Sequence, residues 1–113
     1  MEELIKILKA LSDPNRIRIL KMLEKKDLCV CEISAILKLA NSTVSKHLSI
    51  LRQAGLIYGD KEGKWVYYKL VKAPTSLYLT NLMPLIKEWL NEDAVIRYDL
   101  KNVRSVDKLI ICA

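Results

Sequence analysis

The sequence has few of the residues that carry catalytic chemistry. Its 113 residues include one histidine and three glycines, and they contain neither a glycine-rich phosphate loop nor a constellation of paired carboxylates. Reaction classes that rely on such groups therefore lack their required side chains. We predict that the chain is not an enzyme.

Long apolar runs are also absent. No stretch reaches the roughly 18 apolar residues of a transmembrane helix, and the acidic residues 1–4 differ from the basic and then apolar start of a signal peptide. We expect a cytoplasmic protein with no membrane partner.

The sequence has an odd number of cysteines, Cys29, Cys31 and Cys112. This argues against a disulfide framework and leaves thiols that either bind a metal or simply pack.

Positive charge is what the sequence has in excess, and it is unevenly placed. The formal net charge is +6, and residues 42–72 contribute +4 of it, from six basic and two acidic side chains. A concentrated positive stretch suggests a polyanionic partner. A solvated basic surface is the simpler alternative.

Hydrophobic periodicity predicts a mainly helical chain with one small β-hairpin. Apolar positions recur at three- and four-residue spacing. Asp13 and Pro14 mark the start of the second helix, Asn41 or Ser42 is expected to cap the fourth, and Gly55 marks its end. The pattern predicts helices at 3–11, 14–24 and 30–39, a fourth ending at 54, a hairpin at 56–70 with a turn at 59–64, helices at 75–90 and 91–103, and a strand or packed tail at 109–111.

Two short helices, a tight turn and a following hairpin predict a winged helix-turn-helix. Residues 30–54 form the two-helix unit, and the hairpin is the wing. On the fourth helix, an apolar stripe of Val44, Leu48 and Leu51 leaves a polar face, whose short hydroxyl side chains let the backbone approach DNA closely. The predicted DNA-contacting residues on this helix are Ser42, Thr43, Ser45, Lys46, Ser49 and Arg52.

The tip of the wing adds Lys61 and Lys64, which are placed to reach phosphates or a minor groove. Both groups of residues have a simpler interpretation, because Ser42 and Thr43 could merely cap the helix and the two lysines could lie on a solvated turn.

The single histidine, His47, lies beside the apolar stripe. We expect it to be a packed, hydrogen-bonded side chain and not a ligand.

Three motifs, taken in this order, resemble one known family. They are residues 8–20 (LKALSDPNRIRIL), STVSKHL and LRQAGLI within residues 42–57, and residues 62–70 (EGKWVYYKL). Over about residues 4–72 the chain resembles the ArsR/SmtB metalloregulatory repressors. The resemblance implies a two-fold symmetric, double-stranded operator DNA as partner, a homodimer through the first helix and the helix at 75–90, and release of DNA by an inducer. We predict one dimeric winged helix-turn-helix domain over 1–113, with 91–113 as a C-terminal extension.

A pair of thiols makes the resemblance more specific. Residues 27–34 (DLCVCEIS) resemble the arsenite-sensing segment of the arsenical members, in which Cys-Val-Cys precedes a third cysteine three residues on. Cys29 and Cys31 match, but Ser34 stands at the third position. The resemblance implies arsenite, antimonite or another soft metal ion as inducer and no obligatory cofactor. The third ligand is either Cys112, of the same chain or its partner, or a small external thiol or water.

The spacing of the two cysteines constrains how they share an ion. Thiolates are soft ligands that select soft ions. Side chains at i and i+2 point about 200° apart on a helix but lie on one face of an extended segment. Binding therefore requires that residues 29–31 precede the third helix or unwind its first turn, which couples the ion to the DNA-reading unit. The alternative is that both cysteines are small packed hydrophobic residues.

The leading hypothesis is therefore an arsenite- or antimonite-responsive repressor. Two alternatives stand beside it. The same repressor could respond to cadmium, to lead or to thiol oxidation, or the chain could be a winged-helix module that binds DNA or assembles proteins without an inducer. The charge of residues 42–72 argues against pure protein assembly.

Overall fold

The structure, a computed structural model, describes residues 1–106, and the tail predicted at 109–111 lies outside that part. The elements in residues 1–106 are α1 (Glu2–Leu11), α2 (Pro14–Leu23), α3 (Val30–Leu37), α4 (Asn41–Gln53), β1 (Ile57–Glu62), β2 (Trp65–Leu70), α5 (Leu77–Glu88) and α6 (Ala94–Ser105). This is the mainly helical winged helix-turn-helix that the sequence predicts. None of these helices combines the length and apolar character that crossing a bilayer requires.

The start of α2 is fixed by Asp13 and Pro14, as predicted. The Asp13 side chain accepts hydrogen bonds from the backbone N–H of Asn15 at 2.8 Å and of Arg16 at 3.1 Å, and Pro14 occupies the first turn, where its missing N–H costs nothing. Burial alone would raise the pKa of Asp13. The two hydrogen bonds and the charge of Arg16 outweigh that effect, so the pKa lies below its ordinary value.

The turn between α3 and α4 is short. α3 ends two residues earlier than predicted, because Lys38 adopts a left-handed conformation with φ 58°. The expected cap of α4 by Asn41 or Ser42 is wrong. The N-cap is Ala40, whose extended backbone leaves Asn41 already inside the helix, and no side chain in residues 1–106 caps this helix. Gly55, with φ 83°, follows the end of α4 as predicted.

The hairpin has a longer first strand and a shorter turn than predicted, and the second strand covers the predicted residues 65–70. β1 and β2 pair along their full length, which leaves a two-residue turn with Gly63 at φ 64°. The polar composition of 59–64 predicts a longer turn. Asp60 nevertheless lies within β1, where it accepts a hydrogen bond from Lys69 of β2 at 3.0 Å. This hydrogen bond raises the pKa of Lys69.

Leu28, in the segment between α2 and α3, pairs with β2 of the hairpin. The N–H of Leu28 donates to the carbonyl of Tyr68 at 3.3 Å, and the N–H of Tyr68 donates to the carbonyl of Leu28 at 2.8 Å. The Leu28 side chain is fully buried in the core. These contacts tie the wing to the segment that leads into α3.

A hydrophobic core joins every helix of residues 1–106 to the base of the hairpin. Val44, Leu48 and Leu51 face this core, as predicted, so the opposite face of α4 is turned to solvent. Other members of this core include Ile7, Ile19, Met22, Leu28, Ile33, Leu56, Ile57, Leu79 and Val103.

A buried ion pair anchors α6, the helix predicted at 91–103, to α2. Asp99 is fully buried and accepts two hydrogen bonds from Arg18, from Nε at 2.8 Å and from Nη2 at 2.9 Å. A bidentate pair fixes both distance and orientation. The start of α6 is set by Asp93, whose side chain accepts from the N–H groups of Val95 and Ile96.

Lys21 of α2 is 1% exposed, and its amine reaches the C-terminal end of α5. Its Nζ donates to the carbonyls of Ile86 at 2.9 Å and Lys87 at 3.3 Å, and it lies 2.8 Å from Oε1 of Glu24. A cation there adds charged hydrogen bonds to carbonyls that already accept from Trp89 and Asn91, and it offsets the helix macrodipole. Burial raises the pKa of Glu24, and the hydrogen bond from Lys21 offsets only part of that rise.

We predict that Lys21→Met lowers the free energy of unfolding by about 2 kcal/mol, because the variant keeps the buried stem and removes a charged donor. Urea unfolding measures the difference. Lys25→Met, at an exposed lysine just beyond α2, is the control and should stay within about 0.5 kcal/mol of the wild type. Equal stability of the two variants would show that the buried amine does not hold α5.

Candidate nucleic-acid interface and thiol pair

The outer face of α4 collects the predicted DNA-contacting residues. Ser42, Ser45, Lys46 and Ser49 follow the i, i+3, i+4, i+7 spacing that places side chains on one helical face. The first three are exposed and Ser49 is half-buried, where it accepts a hydrogen bond from the amide of Gln53 at 3.3 Å. The remaining predicted residues of this helix, Thr43 and Arg52, are also exposed.

The two predicted lysines of the wing lie at the far end of the hairpin. Lys61 is exposed near the end of β1, and Lys64 is exposed in the two-residue turn. The Nζ of Lys64 lies 5.1 Å from the ring centroid of Trp65, a cation–π contact that orients the amine at the tip. Because β1 packs against α4, the charged tip and the polar helix face belong to one continuous unit.

His47 and Ser34 both have structural partners. Nδ1 of His47 lies 3.2 Å from Nη1 of Arg16, which confirms the expected packed, hydrogen-bonded histidine. The hydroxyl of Ser34 donates to the carbonyl of Leu39, and the Ser34 carbonyl accepts from the N–H of Leu39 at 3.2 Å. Ser34 therefore closes the turn between α3 and α4.

The thiol pair lies at the start of α3. Cys29 is the N-cap, with an extended backbone (φ −84°, ψ 163°) and a buried side chain, whereas Cys31 is half-buried within the first turn. The carboxylate of Glu32 accepts a hydrogen bond from the N–H of Cys29 at 2.9 Å. Both cysteine side chains have other partners in this structure. Cys112, the third predicted ligand, lies outside the described residues.

Sharing of one ion by Cys29 and Cys31 therefore requires movement of the first turn, since one residue precedes the helix and the other is inside it. Within residues 1–106, no three side chains of histidine, cysteine, aspartate or glutamate come close enough together to hold a metal. The described part of the chain contributes two thiols at most. Any third ligand would have to come from outside these residues.

Sequence reasoning missed Arg16 and Lys21 as structural residues. A signal for Lys21 exists, because it lies four residues after Ile17 and three before Glu24, within the apolar stripe of α2. For Arg16 no local signal exists, because its partner His47 is 31 residues away.

A helix-turn-helix with an exposed polar face on its second helix, followed by a hairpin with a basic tip, is the architecture of a winged helix-turn-helix regulator. The family model described as "Bacterial regulatory protein, arsR family" matches residues 13–58. The chain belongs to this family of DNA-binding transcriptional regulators, as the motifs predict. The expectation that the chain is not an enzyme is confirmed by this membership.

Individual relatives support the same assignment. The arsenic resistance transcriptional regulator ArsR1 of Pseudomonas putida is 34% identical over 93 residues, covering 79% of this chain and 73% of that protein. A cadmium resistance transcriptional regulatory protein CadC homolog of Staphylococcus aureus is 41% identical over 69 residues, covering 60% of this chain and 57% of that protein. The solved structure of HlyU from Vibrio cholerae has a TM-score of 0.64 at 32% identity, covering 79% of this chain and 92% of that chain.

Proposed function

We propose that the chain is a dimeric repressor that reads double-stranded operator DNA with α4 and the hairpin and is released by a soft metal or metalloid ion. The observation that carries DNA reading is the outer face of α4, where hydroxyl and lysine side chains stand opposite the buried stripe. In residues 1–106 no side chain caps the N-terminus of α4. Its first N–H groups are therefore donors suited to phosphate oxygens.

The positive charges are divided between the two parts of this interface. Lys46 and Arg52 lie on α4, and Lys61 and Lys64 lie at the tip of the hairpin. Phosphate contacts by such residues supply affinity and fix the register on the duplex, whereas the hydroxyl groups at 42, 43, 45 and 49 are placed to contact base edges. A DNA-binding repressor of this kind acts in the cytoplasm.

The proposed dimer is built through α1 and the helix predicted at 75–90, observed as α5. Both helices expose large apolar side chains, and Leu77 of α5 is 72% exposed. Clustered exposed apolar residues on a small protein mark interaction surfaces. The other exposed members are Ile5 and Leu8 on α1, Tyr78 and Leu85 on α5, and Trp89 just after α5.

We expect the full chain to enrich specific duplexes from a random-sequence DNA pool. The enriched sequence should contain two related half-sites with two-fold symmetry, about 10 base pairs apart or a multiple of that spacing, because a symmetric dimer places its reading helices one helical turn apart. Sequencing of the bound fraction provides the readout. Failure to enrich any sequence would contradict the proposed function.

Lys46→Ala and Lys64→Ala are each expected to weaken binding to the selected duplex and to flatten its salt dependence. Loss of one phosphate contact per protomer should reduce the slope of log Kobs against log salt by about 2 for a dimer. Fluorescence anisotropy at four salt concentrations measures the slope.

Lys101→Ala is the matched control, because it removes the same charge from an exposed position on α6, outside α4 and the hairpin. Its slope should equal that of the wild type. Slopes that change equally in all three variants would mean that net charge, and not these two positions, governs binding.

The proposed inducer site is the reduced thiol pair of Cys29 and Cys31. For both thiolates to bind one soft ion, the first turn of α3 must rearrange around the N-cap that Glu32 stabilises. This turn lies next to the Leu28–Tyr68 pairing that holds the wing. A bound ion would thus act on both DNA-reading elements through one segment.

With a phosphine reductant and no added thiol, we expect arsenite to lower the DNA affinity of the wild type by roughly 5- to 150-fold, the usual range of coupling, and that of Cys29→Ser by less than about twofold. Serine is a favoured N-cap, so Cys29→Ser should keep α3 and DNA binding intact. Anisotropy titration at fixed arsenite measures the DNA affinity of the wild type and of Cys29→Ser. Full release of Cys29→Ser by arsenite would place the sensor elsewhere.

Cys112→Ser and a panel of ions identify the third ligand and the inducer. If Cys112 is a ligand, its replacement weakens the arsenite response; if a water completes the site, the response is unchanged. Antimonite, cadmium and lead are titrated under the same conditions. The similarity to a cadmium resistance regulator makes cadmium the first alternative to arsenite.

A further inference from the structure

Arg16, in the first turn of α2, contacts two other helices. Its Nε donates to the carbonyl of Ala10 at 2.8 Å, and its Nη2 donates to the carbonyl of Lys9 at 3.1 Å, both in the last turn of α1. Its Nη1 lies 3.2 Å from Nδ1 of His47 on α4. One planar side chain therefore joins α1 to α4.

The contact with His47 specifies the protonation of the imidazole ring. A guanidinium stays protonated in proteins and can only donate. In the neutral ring Nδ1 of His47 must therefore accept, which assigns the ring proton to Nε2. The sequence has no other histidine, so the ring signals of His47 are unambiguous in a spectrum of the whole protein.

Arg16 is itself held in place from both ends. Its backbone N–H donates to the side chain of Asp13 at 3.1 Å, which fixes the first turn of α2. Its guanidinium occupies the C-terminal end of α1, where the helix macrodipole is negative and the carbonyls of Ala10 and Lys9 accept from it. A side chain constrained in this way transmits the position of α1 to the residue it contacts on α4.

We propose that Arg16 is a positioning residue for DNA binding: its contact with His47 holds α4 at a set orientation to α1 and thereby sets the spacing of the two α4 helices in the dimer. The inference rests on the proposed function, in which α1 belongs to the dimer interface and α4 reads DNA. Two half-sites have a fixed separation on a duplex. A tilt of α4 against α1 therefore displaces the reading helices of a full site, whereas a single half-site lets one helix adjust.

The test compares two DNA probes, the selected duplex with both half-sites and a duplex with one. His47→Leu removes the acceptor, and His47→Asn keeps an acceptor oxygen close to the position of Nδ1. We expect His47→Leu to lower affinity for the full site by roughly tenfold and for the single half-site by less than about twofold, within the coupling usual for contacting residues. His47→Asn should recover most of the lost affinity. Thermal unfolding verifies that both variants are folded.

A double-mutant cycle separates the contact from the other roles of Arg16. Arg16→Met removes all donors and keeps a long side chain, and Arg16→Lys keeps the charge without the planar fork. In the His47→Leu background, Arg16→Met should cost clearly less full-site affinity than in the wild type. Nitrogen-15 shifts of the His47 ring, measured without DNA, should show a proton on Nε2 in the wild type and lose that preference in Arg16→Met.

Different results separate the two ideas. If the wild type selects no duplex, the proposed function fails and this inference fails with it. The positioning role of Arg16 is wrong, and DNA binding stands, if the wild type binds DNA but any of three results is found. The affinity losses of Arg16→Met and His47→Leu are additive, the loss in His47→Leu is equal on both probes, or His47→Asn does not recover affinity. A neutral ring that carries its proton on Nδ1 in the wild type would also overturn the inference.

Discussion

The arrangement of the helices depends on the cationic side chains of α2. Arg16 binds the C-terminal carbonyls of α1, Lys21 binds those of α5, and Arg18 pairs with the buried Asp99 of α6. Two of these contacts place a cation at the C-terminal end of a helix, where it offsets the macrodipole, and each carries charge, which makes it stronger than a neutral hydrogen bond. Apolar contacts tolerate sliding, whereas these contacts specify which turn of each helix meets α2.

These contacts explain why α4 is exposed on one face and held in place on the other. Val44, Leu48 and Leu51 bury the inner face of α4 against the core, and Arg16 contacts its middle at His47. The wing is positioned separately, through the backbone pairing of Leu28 with Tyr68. The segment from Leu28 to the first turn of α3 therefore adjoins the wing, and α3 itself packs against α4. The thiol pair lies within this segment.

Much of the fold could be predicted from the sequence, because its signals are local. Asp13 and Pro14 mark a helix start through capping chemistry, and Gly55 marks a helix end through its left-handed backbone. The errors have tertiary causes. Residues 59–62 are polar and suggest a turn, yet they form strand because β2 supplies partners along their length. The buried amine of Lys21 and the distant contact of Arg16 depend on helices that no local pattern brings together.

The candidate site was predictable to a similar degree. The polar face of α4 follows from the positions of its apolar stripe, and the thiol pair from its spacing. The start of α3 at Val30, which makes Cys29 the N-cap, agrees with the predicted start at residue 30, whereas the hydrogen bond from the Cys29 N–H to Glu32 that supports this start was not anticipated. The position of Cys29 at the start of α3 matters for the proposed switch.

A hundredfold loss of DNA affinity requires about 2.8 kcal/mol of differential binding. Losing an N-cap costs about 1 kcal/mol, and each backbone hydrogen bond of the Leu28 pairing contributes about another 1 kcal/mol. Rearrangement of this one segment in two protomers therefore involves free energies of the size that the proposed switch requires, and the bound ion must offset them through its differential affinity for the two states.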